Sequence, residues 1–280
     1  MSSIFGTARN KIDLNGKWVA CRNGESQSMN VTVPGSVQYD MFKAGMLPDP
    51  FIGENCELWQ EACESDYTYS LKFDINSSLI DNEKVELVFE GIDTISIIKL
   101  NGIVLGSTDN MFKTWHFSVK EIIKEKGNEL KILIKAPRKA ALEIREKYKN
   151  SSEILKHTQE EFFGQKPMIQ NYIRKMACSF GWDWGPALPL SGIHKPVYIE
   201  GWNETRIQSI YVETKVSPDN KKAEVSGYIK FTDKVGEKAE AEINLLLPDG
   251  KEINIKPQIE VLCKNLYGRI LNHYQKQSVL

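Results

Sequence analysis

The sequence predicts a mainly β protein: a jelly-roll β-sandwich with a helical insertion, then an immunoglobulin-like sandwich that looks truncated. Three observations carry this. Roughly eight short runs of period-two alternation, separated by turn signals, fill about the first 135 residues, as in a sandwich or jelly roll. Residues 138–163 then switch to 3.6-residue periodicity in a charge-rich stretch. After Trp202 four more strand candidates follow at sandwich spacing. The domains are accordingly expected at 1–204 and 205–280.

In order, Asn15-Gly16 is a turn leading into a strand that ends near Cys21. Residues 29–33 alternate Val31 and Val33, and Pro34-Gly35-Ser36 ends that strand. Ser36 can cap a helix over 37–44, with Gly45 as its stop. Residues 47–55 hold two prolines and a glycine and read as a loop. Strands follow at 67–73, 84–90 and 95–100. Asn101-Gly102 then turns a hairpin into 103–105, and further strands lie at 115–119 and 129–135. In the insertion, Ala140, Ala141, Ile144, Tyr148, Ile154 and Leu155 share a face, and Asn150-Ser151-Ser152 breaks it. Residues 193–201 return to strand. The second domain offers strands at 207–216, 223–231, 241–247 and 253–261, with a turn at Pro248-Asp249-Gly250. From Cys263 onward no clean alternation is visible.

The formal net charge is −1, from 36 basic and 37 acidic residues, which implies no long-range pull toward nucleic acid or anionic membrane. No apolar run approaches the ~20 residues of a membrane span, and the opening residues lack the apolar centre of a secretory signal. The five cysteines are dispersed without C-x-x-C spacing, as expected of reduced thiols in a cytoplasmic protein. Four N-x-[ST] sequences, at Asn30, Asn76, Asn150 and Asn203, then read as chance matches.

Ser179-Phe180-Gly181-Trp182-Asp183-Trp184-Gly185-Pro186 concentrates two of the six tryptophans around one carboxylate. An indole offers a flat apolar face and one N–H, suited to the C–H face of a sugar; a carboxylate accepts from two neighbouring hydroxyls. If the run is extended, the two indoles share one side and Asp183 takes the other. On residue types alone, two core indoles and a turn aspartate are the favoured explanation of the stretch, since tryptophan is mostly buried on average.

Other chemistry is missing from the sequence. There is no G-x-G-x-x-G, no phosphate loop, no H-E-x-x-H and no G-x-S-x-G elbow. The four histidines are widely spaced, so neither a metal nor any cofactor is expected.

Several motifs occur together and in order: Leu14-Asn-Gly-Lys-Trp18, Val33-Pro-Gly-Ser-Val37, Gly45-Met-Leu-Pro-Asp-Pro-Phe51, Phe89-Glu-Gly-Ile-Asp93, Leu100-Asn-Gly102, Asp109-Asn-Met-Phe112 and the Trp-Asp-Trp stretch, with Gly192-Ile193 and Pro196-Val197 after them. In this the chain resembles the N-terminal part of β-mannosidases of the family-2 glycoside hydrolases, most closely over about residues 10–215. The resemblance implies a galactose-binding-like jelly roll, an immunoglobulin-like domain and then a TIM barrel with two catalytic glutamates of a retaining mechanism. A barrel takes ~250 residues, so the chain is expected to lack it and to be inactive alone, with the barrel as the missing partner and terminal β-mannose as the sugar. It implies that Asp183 accepts hydrogen bonds from the terminal sugar, that Trp182 walls the subsite, and that Asn110 approaches it. Trp184, Gly181, Gly185 and Pro186 would shape the loop. Gln38 stands where the family often has histidine, His194 where it often has tryptophan, and the tail after Val261 lacks the usual strand entry.

Three functions are therefore open: the non-catalytic front of a β-mannosidase, a free-standing carbohydrate-binding module, and a structural scaffold. Self-association through a barrel-facing apolar surface is a further expectation.

Overall fold

The computed structural model describes residues 10–151, 168–203, 206–231, 243–247, 250–255, 258–260 and 267–275. They fall into two compact units, one of them Arg9–Trp202 and the other holding everything described from Asn203 onward.

The larger unit is a sandwich of two antiparallel sheets. One has the order β1 (Asn10–Asp13), β10 (Val197–Trp202), β5 (Lys84–Phe89), β8 (Trp115–Ser118). The other runs β3 (Ser28–Val33), β2 (Gly16–Arg22), β4 (Tyr67–Phe73), β9 (Asn128–Ile134), β6 (Ser96–Leu100), β7 (Ile103–Thr108). Alternation decides which side chains meet between the sheets. Val85, Leu87 and Phe89 of β5 and Val197 and Ile199 of β10 join Tyr67, Tyr69, Leu130, Ile132 and Ile134 in one core. Each such side chain contributes about 1.5–3 kcal/mol when fully buried.

The helices sit around this sandwich. Helix α1 (Val37–Lys43) starts at Ser36, whose Oγ accepts the Tyr39 N–H at 3.4 Å. Its Asp40 accepts the Thr32 backbone N–H of β3 at 2.7 Å and the Lys43 ammonium at 2.8 Å, fixing helix to sheet. Helix α2 (Cys56–Cys63) was not foreseen; Trp59, Ala62 and Cys63 make its buried face. A second unforeseen helix, α3 (Ser77–Ile80), is one turn long. In α4 (Pro137–Tyr148) Ala140 and Ala141 face inward, as the periodicity required. The rest of the expected insertion, including Ile154 and Leu155, lies outside the described residues.

The smaller unit is also antiparallel β: β11 (Ile207–Val216), β12 (Lys222–Phe231), β16 (Tyr267–Gln275) and β15 (Gln258–Glu260) form one sheet. A hairpin of β13 (Ile243–Leu246) and β14 (Glu252–Ile255) stands beside it in the sequence. Two expectations need correction. The run read as one strand over 253–261 supplies two, because β14 pairs with β13 and β15 with β16. The tail read as elementless carries the nine-residue β16, paired along nearly all of β12. Its pairing is set by backbone hydrogen bonds, which side-chain alternation does not report.

Candidate functional site

The Trp-Asp-Trp stretch lies on a loop whose approach is well fixed. Phe180, 2% exposed, closes a short 3-10 turn (Ala177–Phe180) and packs with Ala141, Ile169 and Ile173. Gly181 follows at φ +106°, a conformation that side chains with a Cβ rarely adopt. The chain then doubles back: Trp182 N–H donates to Gly185 O at 3.2 Å and Gly185 N–H to Trp182 O at 3.3 Å. Asp183 and Trp184 are the corner of this turn. The extended alternation considered above does not occur, because two paired backbone groups only three residues apart force a reversal.

Exposure settles another alternative. Trp182 is 40% and Trp184 74% exposed, so the two indoles are not core anchors. Asp183 is exposed between them. Beyond the corner, Leu188 and Leu190 pack on the Leu47–Trp59–Ala62 cluster, so the unforeseen helix α2 carries the return stem.

Asn110 is half-buried and pairs, as an isolated parallel bridge, with Arg174. Its Oδ1 accepts the Phe112 N–H at 2.9 Å and its carbonyl accepts the Trp115 indole N–H at 3.2 Å. Met111 N–H donates to Arg174 O at 3.1 Å, and Met176 N–H approaches the Met111 sulfur at 3.1 Å. Asn110 is thereby joined to the segment that leads to the Trp-Asp-Trp corner, rather than to the corner itself.

Beneath the loop lies a buried ion pair that sequence reading did not single out. The Lys175 ammonium meets the Asp93 carboxylate, with side chains 2% and 10% exposed. Lys175 also donates to Leu190 O at 2.8 Å. Asp93 was visible only as the end of Phe-Glu-Gly-Ile-Asp, and Lys175 belongs to no periodic run; nothing in their spacing, 82 positions apart, links them. Two neighbours feel the burial. Desolvation pushes the Cys63 thiol up to about 12, with Lys175 opposing. Desolvation also lowers the His194 imidazole, against the attraction of Asp93.

Two of the three positions at which the sequence departs from the resemblance, Gln38 and His194, have defined contacts in the fold. Gln38, fully buried, accepts the Ser191 N–H on Oε1 at 3.1 Å and reaches Ser191 Oγ with Nε2 at 3.4 Å. His194 packs under Gly91, where an added Cβ would stand 2.6 Å from the ring. One histidine does find partners. His116 Nδ1 lies 3.1 Å from Glu86, and Glu200, the cross-strand partner of Glu86, brings a third donor atom within 4.8 Å. Among the described residues no helix is long and apolar enough to cross a membrane.

The two-sheet antiparallel sandwich is the fold of a known class of domains, and the chain belongs to it. Residues 18–195 match the glycosyl hydrolase 2 galactose-binding domain-like family. Within that family its relatives include β-mannosidases: the enzyme of Bos taurus is 34% identical over 206 residues, 71% of this chain and 22% of that protein. A solved β-D-mannosidase from Dictyoglomus thermophilum superposes at TM-score 0.72 with 29% identity, over 94% of this chain and 30% of that one. A Bifidobacterium dentium β-glucuronidase, at 13% identity and TM-score 0.61 over 98% of this chain and 43% of that one, shares the fold. The chain thus spans less than a third of the length of the β-mannosidases it matches.

Proposed function

We propose that these 280 residues are the non-catalytic front of a β-mannosidase, contributing the Trp182–Gly185 corner to the subsite for a terminal β-D-mannose. The observation that carries this is a carboxylate between two exposed indoles on a fixed loop, in a chain of this family. Asp183 would accept from two sugar hydroxyls and Trp182 would cover the C–H face of the ring. Asn110 would offer its Nδ2 donors, its Oδ1 already holding Phe112 N–H. The two glutamates of the retaining reaction would come from a TIM barrel outside these residues. The domain boundary belongs near 204, with the strands beyond it forming part of an immunoglobulin-like sandwich. The apolar side chains Phe51, Phe112 and Met176, all exposed, are suited to the barrel and to self-association in its absence. Free Cys21, Cys56, Cys63 and Cys178 fit a cytoplasmic setting.

The purified 280-residue chain is expected to show no turnover of an aryl β-mannoside. Joined to the catalytic barrel, Asp183→Ala is expected to lower kcat/KM roughly ten- to hundredfold, the loss of charge-assisted hydrogen bonds to the sugar. Steady hydrolysis by the 280 residues alone, abolished by Asp183→Ala, would overturn the proposal. A second reading, a free-standing carbohydrate-binding module, is favoured by the 74% exposure of Trp184. Heat on calorimetric titration of the isolated chain with mannose or manno-oligosaccharides would support it; a flat trace at millimolar sugar would remove it.

A further inference from the structure

We infer that Lys175 and Asp93 are positioning residues: the buried ammonium clamps both stems of the loop at its base and so sets where Trp182 and Asp183 stand. The inference rests on the reading of that loop as a sugar contact. Lys175 precedes the loop and Leu190 follows it, and the Lys175 ammonium donates to the Leu190 carbonyl at 2.8 Å. The same ammonium meets Asp93, whose own backbone pairs with Gly192 just past the return stem, through bonds of 2.8 and 3.2 Å. One residue from outside the loop, Asp93, therefore touches both ends of it, through its carboxylate at Lys175 and its backbone at Gly192. Asp93 is itself tied to the six-stranded sheet. Thr94 Oγ1 donates to Asp93 Oδ1, Thr108 Oγ1 donates to Thr94 O at 2.8 Å, and Ser96 and Thr108 share a hydroxyl bond of 2.7 Å. The chain of contacts runs from strands β6 and β7 to the loop base without an exposed link, since Asp93, Thr94, Ser96, Thr108 and Lys175 are all buried. In so dry a setting a charge-assisted bond is stiff. The corner beyond it is closed by the two backbone hydrogen bonds between Trp182 and Gly185, with Phe180 and Leu188 packed on either side of it.

A buried pair can also be explained as charge compensation alone, and the two explanations separate in the variant without either charge. In Lys175→Met/Asp93→Asn no lone charge is left buried, yet the bond to Leu190 O is gone. Hydrogen exchange on the full chain should show the amides of Gly181–Ala187 exchanging about tenfold faster or more, with β4 and β9 as protected as before. Acrylamide should quench Trp182 and Trp184 more strongly in the same variant. Wild-type exchange and quenching in the double variant would overturn the clamp, because charge balance alone then suffices. Loss of protection throughout the sandwich would overturn it equally, because the pair would then hold the domain rather than the loop. Asp183→Ala keeps the clamp and is expected to leave exchange at the loop stems unchanged. Its effect on sugar contact tests the earlier reading and not this one.

Discussion

Cys63 shows how strongly position decides the behaviour of a residue. Its thiol is fully buried beside the Lys175–Asp93 pair, and desolvation raises it to about 12, while Cys21, Cys56 and Cys178 are half-buried. Since the thiolate is the nucleophile, a disulfide reagent at pH 8 should modify Cys63 in the native protein roughly a thousandfold more slowly than an ordinary thiol, and at the ordinary rate after unfolding. Peptide mapping after timed labelling checks this; prompt native labelling of Cys63 would contradict its burial. The residue types of the Trp-Asp-Trp stretch were equally legible in the sequence, but their exposure was not. An indole is buried in most proteins, and only the Trp182–Gly185 reversal turns these two outward.

Strands of the sandwich were legible as elements wherever one face is wet and the other dry, as in β4, β5 and β9. Short helices were not: α3 is a single turn, and α2 follows a proline-rich loop with no side-chain cap at Asn55. Ser36, by contrast, caps α1 as its sequence position announced, and Ser36→Ala should cost about 1 kcal/mol in denaturant unfolding. Joins between elements were the least legible. Gly192 passes so close to the turn before α1 that an added Cβ would lie 2.3 Å from Gly35 O and 2.8 Å from Ser36 Cα. Both are backbone atoms and cannot rotate away. Gly192→Ala should therefore destabilise the sandwich by about 1–3 kcal/mol, measured as a lower urea midpoint at unchanged slope. A midpoint within error of wild type would show that the two segments separate easily.

At the scale of the whole molecule, burial of titratable groups predicts how stability depends on pH. Cys63 and Tyr67 are both pushed up to about 12 by desolvation, so the folded state favours their neutral forms. Their contribution is complete below the unfolded values, near 9 and 10, and is lost as pH rises through the window up to about 12. His194, lowered by burial, works in the other direction: its neutral form is favoured, and stability falls as pH drops below its ordinary 6.5. Urea midpoints should therefore be level between about pH 7 and 8.5 and decline on both sides. A midpoint still rising at pH 10 would contradict the assignment. The contact between Lys175 and Asp93, 82 positions apart, depends on topology that no local pattern reports. The clamp also separates two demands on the chain's history. Core packing runs on through Phe180 and resumes at Leu188, while the corner of Trp182, Asp183 and Trp184 is exposed. Substitutions there should change stability by about 0.5 kcal/mol or less, as exposed positions generally do. The corner is therefore a region where drift and selection can rewrite what the protein touches without first having to rescue its fold.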